Sequence, residues 1–432
     1  MTEILPLKAW RYNPGLNSQM EELTSPLFDV VSSKQRESLY KNSNNSIHLT
    51  LPEGDNPAKK AKRVLDNWKK EGVILQDILP GIYVYYQRFS IPGKSKEYCR
   101  KGFICHIKVE DWDKKVVLRH ENTIARAVGD RLEILRQTRF QPSPTHGLYD
   151  DPEFLLEKYM DEAVSVPLYD FEDYQGVRHT LGVIHDAKII RRFHQSMRDK
   201  SIILADGHHR YESALTYRKE RKAANAHHSG QEMYNYHMMY LTNASSKGLK
   251  ILPTHRLFHQ IQLSEKTIIE RASPYFTIKV VADPQEIGEL IINKPWAFGL
   301  VFKNSAYKIR LKPECMQLFD QAIPKVVQQL DLEVLHYFFI EKVLGIPQKE
   351  QRFSDKITYE RNLNRCHHKV SSGEADLAII TKGVTMKEVM EVAASGYTMP
   401  QKSTFFYPKA LSGLVFGSIE EEDAEFPYEM YL

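Results

Sequence analysis

The eight residues Ala205-Asp206-Gly207-His208-His209-Arg210-Tyr211-Glu212 constrain this chain more than any other stretch. The apolar run before them, Ser201 to Leu204, reads as a buried strand, and Ser213 to Arg218 after them reads as the first turns of a helix. A strand, an acid-glycine turn and basic residues at a helix start together suit phosphate. Backbone N–H groups and the positive end of the helix dipole converge there, and Gly207 permits close approach of the backbone. Arg210 can grip two phosphate oxygens at once, while Asp206 offers a carboxylate for a metal or for proton transfer. A plain turn carrying two solvated histidines is the competing reading.

A chain of 432 residues predicts two or three domains with ample buried core. Its 42% hydrophobic and 26% charged residues are those of an ordinary globular protein. A formal charge of +4, with Lys and Arg scattered along the chain, gives no case for nucleic acid. The four cysteines (Cys99, Cys105, Cys315, Cys366) lack CxxC spacing, so free thiols in a reducing compartment are expected. The start, Met1 to Pro6, has no secretory pattern, and no apolar run approaches the roughly 18 to 20 residues that span a bilayer. The expectation is a cytoplasmic protein without a membrane partner, ending in a solvated acidic tail, Glu420 to Asp423.

Hydrophobic periodicity predicts a helix over Pro57 to Glu71, with Ala61, Val64, Leu65 and Trp68 inward and Gly72 at its C-terminus. Strands are expected at Ile82–Tyr86 and Gly102–Val109, joined by a hairpin loop at Pro92–Lys96, and then at Val116–Leu118. A helix around Asp130–Thr138 precedes a Pro-rich turn and a long insert-like stretch that leads to Asp206. Another strand is expected over Tyr234–Leu241. The last third reads as α+β, with strands at Phe276–Val281, Ala297–Phe302, Ala306–Leu311 and Leu377–Ile380 and helices at Leu332–Leu344 and Met386–Ser395. The expected partition is an N-terminal α+β region (1–115), a core with an insertion (116–260) and a C-terminal α+β domain (261–432).

Two further clusters can carry chemistry. In His120-Glu121-Asn122-Thr123, Glu121 is a candidate general base, His120 or Thr123 can orient it or a phosphate, and Arg131 on the next helix can add a phosphate contact. Alternatively Asn122 or Thr123 caps that helix and Glu121 faces water. Lys402-Ser403-Thr404, ahead of an aromatic strand, places a cation and two hydroxyls, either at a ligand or in a structural connection. Thr254-His255-Arg256 either lines the same pocket or lies exposed, and the pairs His227-His228 and His367-His368 read as loop residues. HExxH, GxSxG, GxGxxG and the P-loop spacing are all missing, which removes the commonest protease, hydrolase and dinucleotide readings.

ADGHHRYESAL (205–215), RHENT (119–123) and MPQKSTFFYPKALSGL (399–414), with the early segment Phe28 to Ser33, resemble a bacterial domain-of-unknown-function family, number ten-fifteen. More distantly, a His-Glu element, a helix, a strand, Asp-Gly-His-His-Arg and a helix are similar to the ParB/sulfiredoxin superfamily, especially its free-serine-kinase branch. The segment between the two elements is far longer here than in a minimal domain of that kind. That resemblance implies an α/β (mixed α+β) chain with a ParB/sulfiredoxin-like central domain between N-terminal and C-terminal α+β regions. It also implies Glu121 as base toward a serine hydroxyl, and Asp206, His208, His209 and Arg210 as the phosphate and metal corner. Sulfiredoxins resemble Gly-Cys-His-Arg at the corner, where His208 stands here, and partition proteins carry a helix-turn-helix that is not found in this sequence.

The leading expectation is a nucleotide- and Mg²⁺-dependent phosphotransferase acting on a small hydroxylated metabolite, with L-serine the first candidate and ATP or ADP as donor. Asp206 would hold the metal; Gly207, His208, His209, Arg210, His120, Thr123, Arg131, Lys402, Ser403 and Thr404 would bind nucleotide or phosphate. The alternatives are a nucleotide-binding regulator without turnover and a metal-dependent phosphoesterase. Oligomeric state is left open.

Overall fold

The computed structural model describes residues 1–91, 93–320 and 322–424, so Pro92 of the expected hairpin loop lies outside the described residues. The chain is mixed α/β, as expected, and divides into two units: residues 1–250 with the segment from Pro408 onward, and residues 251–407.

Nine strands among the described residues of the first unit share one sheet. They are β1 (Ile4–Leu5), β2 (Ile82–Ser90), β3 (Glu97–Lys108), β4 (Val117–Arg119), β5 (Thr145–Tyr149), β6 (Tyr169–Glu172), β7 (Arg178–Ile184), β8 (Ile202–Asp206) and β9 (Tyr236–Asn243). Their order is β4-β8-β5-β9-β3-β2-β7-β6, and β1 pairs with β3. Two pairings are parallel, β4 with β8 and β5 with β9; the others are antiparallel. The helices that matter here are α1 (Pro57–Lys70), α2 (Ala125–Thr138), α3 (Glu157–Ala163), α4 (Ala187–Met197) and α5 (His208–Ala224).

The period-two alternation of the strands explains how both faces are covered. Ile82, Val84 and Tyr86 of β2 pack with Met160 of α3, Phe193 and Met197 of α4, and Tyr211 and Leu215 of α5. Their neighbours Tyr83 and Tyr85 point to the other face, against Leu65 and Trp68 of α1 and Leu411 and Phe416 of the returning segment. Helix α1 starts on Pro57 and buries Ala58, Ala61, Leu65 and Trp68 at helical spacing. It stops at Gly72, whose φ of 69° lets the Val73 N–H reach the Trp68 carbonyl at 2.9 Å.

This architecture corrects three expectations. The boundary near residue 115 is crossed by the sheet, because β3 pairs with β9 along seven residues from Tyr236↔Lys108 to Thr242↔Gly102. The insert-like stretch before Asp206 supplies β5, β6, β7, α3 and α4, all parts of the same core. The acidic end is pinned to the body: Glu421 accepts from the Met233 N–H (2.8 Å), and Asp423 accepts from Trp10 Nε1 (3.1 Å) and Lys69 Nζ (3.3 Å).

Six strands of the second unit pair with one another: β10 (His255–Phe258), β11 (Phe276–Val280), β12 (Ala297–Val301), β13 (Ala306–Leu311), β14 (Ile357–Glu360) and β15 (Leu377–Ile380). They form an antiparallel sheet in the order β11-β13-β12-β15-β10-β14. Thr254, His255 and Arg256 are buried in this unit, not exposed. The helix expected over Leu332–Leu344 is an α-turn, Asp331–Val334, followed by wider π winding over Leu335–Val343. No helix among the described residues is long and apolar enough to cross a membrane.

Several histidines are buried in the first unit. Burial pushes His106 and His237 down to about 3, and lowers His120, His146 and His208 as well. His106 and His237 are therefore neutral when folded and take up protons when unfolded, where the ordinary value is about 6.5. Their contribution to stability is complete above that value and is lost as pH falls from it toward 3. His106 and His237 should each remove about 2 kcal/mol of stability by pH 5. Denaturant unfolding at pH 7.5 and pH 5 measures the difference; equal stability at both would show that these rings are protonated in the native state.

Candidate functional site

Strand β8 lies between β4 and β5, and its C-terminal end carries Asp206. The chain then turns at Gly207, with φ 89°, and enters α5 at His208. A Cβ at Gly207 would lie 2.7 Å from Thr145 Cγ2 and 2.8 Å from Arg210 Nη2, so both conformation and space require glycine. One helical turn on, Arg210 folds back onto the corner: Nη2 donates to Asp206 Oδ2 at 3.0 Å. Its Nη1 donates to Ser143 Oγ (2.9 Å) and the Pro144 carbonyl (2.6 Å). The other Asp206 oxygen, Oδ1, accepts from Lys409 Nζ of the returning segment.

The carboxylate is thus held between two cations, and all three side chains are 10–14% exposed. Burial works to raise the Asp206 carboxyl, but Lys409 and Arg210 outweigh it and hold it well below the usual carboxylate range. One acid against two bases leaves the corner with a net positive charge. His146, opposite Asp206 across the β5–β8 pairing, is kept neutral by burial and by the Arg100 cation, and its Nε2 lies 2.7 Å from Thr242 Oγ1.

The His120–Thr123 element stands beside this corner. β4 and β8 run parallel in register, Leu204 opposite Arg119, so the residues that leave the two strands emerge at the same end of the sheet. The rings of His120 and His208 are 5.0 Å apart, edge to face. Burial lowers the His120 ring, and the Glu121 and Asp206 carboxylates oppose that shift, which places both acids within its electrostatic reach. His209 is engaged structurally: its Nε2 accepts the Ile124 N–H at 3.0 Å, at the start of α2. Ile124 is itself the N-cap of α2, so neither Asn122 nor Thr123 caps it. Glu121 and Thr123 are half-buried, and His208 Nε2 is buried without a protein partner among the described residues.

Other expected site residues have other surroundings. Arg131 on α2 reaches the Thr50 carbonyl and stacks on Phe28, so it makes no contact with Asp206. Lys402, Ser403 and Thr404 belong to the second unit, where Ser403 Oγ donates to the Pro400 carbonyl. The cation that the MPQKSTFFYPK motif delivers to Asp206 is Lys409. Sequence reading also passed over Ser143; its signal is the Pro142-Ser143-Pro144-Thr145-His146 run leading into β5.

Asp206 does not fit the role of direct metal ligand, since both of its oxygens already accept from cations. Among the described residues no group of three or more His, Cys, Asp and Glu side chains is placed to hold a metal ion. The donor set suits an anion.

Fold and site together define a mixed α/β protein with a cationic strand-turn-helix corner. The chain belongs to the DUF1015 family of proteins of unknown function, whose pattern matches residues 4–333. No curated protein matches it. It is similar to a solved free serine kinase variant in complex with AMP at 16% identity, over 74% of this chain and 90% of that one, with a TM-score of 0.37. A conserved hypothetical protein from Pyrococcus furiosus is similar at 16% identity, over 73% of this chain and 93% of that one, with a TM-score of 0.34. SbnI with C-terminal truncation from Staphylococcus aureus is similar at 11% identity, over 76% and 92%, with a TM-score of 0.36.

Proposed function

We propose that this chain binds a nucleotide through the Asp206–Arg210 corner and transfers a phosphoryl group to a small hydroxylated metabolite, L-serine being the first candidate acceptor and ATP or ADP the donor. The observation that carries this reading is the parallel pairing of β4 with β8. It brings a half-buried carboxylate, Glu121, to the same sheet end as a net-cationic, buried corner at a helix start. Phosphoryl transfer needs those two things: neutralisation of phosphate charge, and a base that receives the acceptor's proton.

In this proposal the α5 N-terminus, Arg210 and Lys409 bind the phosphate oxygens, with Asp206 positioning the two cations rather than contacting the ligand. Glu121 takes the proton as the acceptor's O–H bond breaks and its oxygen bonds to phosphorus. The bridging P–O bond breaks in turn, and the shortened nucleotide leaves. No step is assigned to magnesium.

Calorimetric titration of the full chain with ATP and with ADP tests the binding half. His208, whose buried Nε2 has no protein partner among the described residues, adds a further contact, so His208→Leu should weaken binding by about tenfold or more, the scale of a lost hydrogen bond to a charged group. Equal affinity in wild type and variant would remove His208 from the phosphate site. Tight nucleotide binding without product from any hydroxylated acceptor would favour the regulatory reading.

A further inference from the structure

A second feature of the first unit shares Arg210 with the corner. A cavity of about 50 Å³ is bounded by Arg131, Arg210, Thr50 and His237, with apolar walls that include Phe28, Leu49, Ile134 and Phe140. That volume holds a few waters or one small polar group, since about 10–15 Å³ by this measure admits one water.

The polar atoms around it are unusually short of partners. Arg131 Nε, Arg210 Nε, Thr50 Oγ1 and both ring nitrogens of His237 are buried with no protein partner among the described residues. Native proteins rarely leave such groups unpaired, because each one forfeits its hydration on burial. The two cations also differ. Arg210 is paired with Asp206, whereas the partners of Arg131 are the Thr50 carbonyl oxygen and the Phe28 ring, 4.2 Å from the guanidinium carbon. Burial draws the Arg131 guanidinium down to about 10; Asp130 and Asp29 oppose that and Arg210 adds to it.

We propose that this cavity binds the carboxylate of a small organic acid, with Arg131 as its counter-ion and Thr50, His237 and Arg210 Nε as additional donors. One cation without a paired carboxylate calls for one negative charge. A planar carboxylate matches the fork of a guanidinium, while the apolar walls accommodate the carbon atoms attached to it. Of the two guanidinium groups that bound the cavity, Arg131 is the one with no paired carboxylate among the described residues, so a monoanion balances it. The proposal stands whether or not the corner binds nucleotide; if it does, Arg210 touches both ligands.

The test uses the full chain without nucleotide, followed by thermal shift and calorimetry with acetate, glycolate and L-serine. Ethanolamine, which is serine without its carboxylate, and inorganic phosphate serve as the contrasting probes. The carboxylates should bind and raise Tm, ethanolamine should not, and any phosphate response should be independent of Arg131. Arg131→Met should weaken carboxylate binding by about tenfold or more, at a modest cost in stability from the lost contact with the Thr50 carbonyl, because no carboxylate among the described residues is ion-paired with that cation. Ethanolamine equal to serine, or an Arg131→Met response to the carboxylates matching wild type, would each overturn the proposal. If that variant does not fold, the serine and ethanolamine titrations of wild type decide the matter alone.

Discussion

Glu121→Gln is expected to leave nucleotide affinity nearly unchanged while phosphoryl transfer falls by about a hundredfold or more, the usual range for a lost general base. Glutamine keeps the size and part of the hydrogen bonding of Glu121, so the loop that follows β4 should hold its place beside the corner. What it cannot do is accept the acceptor's proton. The assay is phosphorylated product from L-serine and a panel of hydroxylated metabolites, with ATP and ADP supplied separately. Loss of affinity and turnover together would make Glu121 a binding residue; unchanged turnover would take the base role away from it. A well-folded wild type that phosphorylates nothing ends the transferase reading.

Asp206→Asn should produce the largest loss of stability. The substitution leaves Lys409 and Arg210 buried side by side with no anion between them. Removing one partner of a buried ion pair typically costs about 3 to 5 kcal/mol. Three of the four tryptophans, Trp10, Trp68 and Trp112, lie in the first unit, and Trp296 lies in the second. Denaturant unfolding in a Trp296→Phe background therefore reports the first unit. Lys409→Met alone should be milder, because Arg210 remains on Asp206. In the double variant the new amide would face one cation fewer, so the two losses should be less than additive. Additive losses would mean that Lys409 and Asp206 do not interact in solution.

The corner was legible because its signals are local. An apolar triplet, a glycine that must take positive φ and a run of helix-forming residues fall within a few positions of one another. The neighbouring His120–Thr123 element could be recognised as chemistry, but its placement depends on the parallel β4–β8 pairing, which no short-range pattern encodes. Lys409 was illegible for the same reason: it meets Asp206 across 203 residues, and Lys402 in the same motif offers an equally plausible cation. Strand β5 reads poorly because Thr145-His146-Gly147-Leu148-Tyr149 has no apolar run. It is buried by its neighbours, so tightly that a Cβ on Gly147 would lie 2.5 Å from Met239 and 2.7 Å from Ile202. The acidic end misled because composition predicts solvation, whereas Asp423 has specific donors in Trp10 and Lys69. Arg131 turns to Thr50 and Phe28 rather than to Asp206, a choice set by what flanks α2 and not by the helix pattern itself.

The first unit is interrupted in the chain: residues 251–407 build a separate body before the segment from Pro408 returns. That segment brings Lys409 to Asp206, the Pro408 carbonyl to buried Arg100, and Phe416 against Tyr12 and Trp68. During synthesis, then, a ribosome that has made everything up to residue 407 holds a polypeptide whose corner lacks one of its two cations and whose sheet lacks part of the cover on one face. A nascent or prematurely ended chain cannot acquire the finished corner, so any activity that depends on Lys409 is withheld until translation has passed the second body.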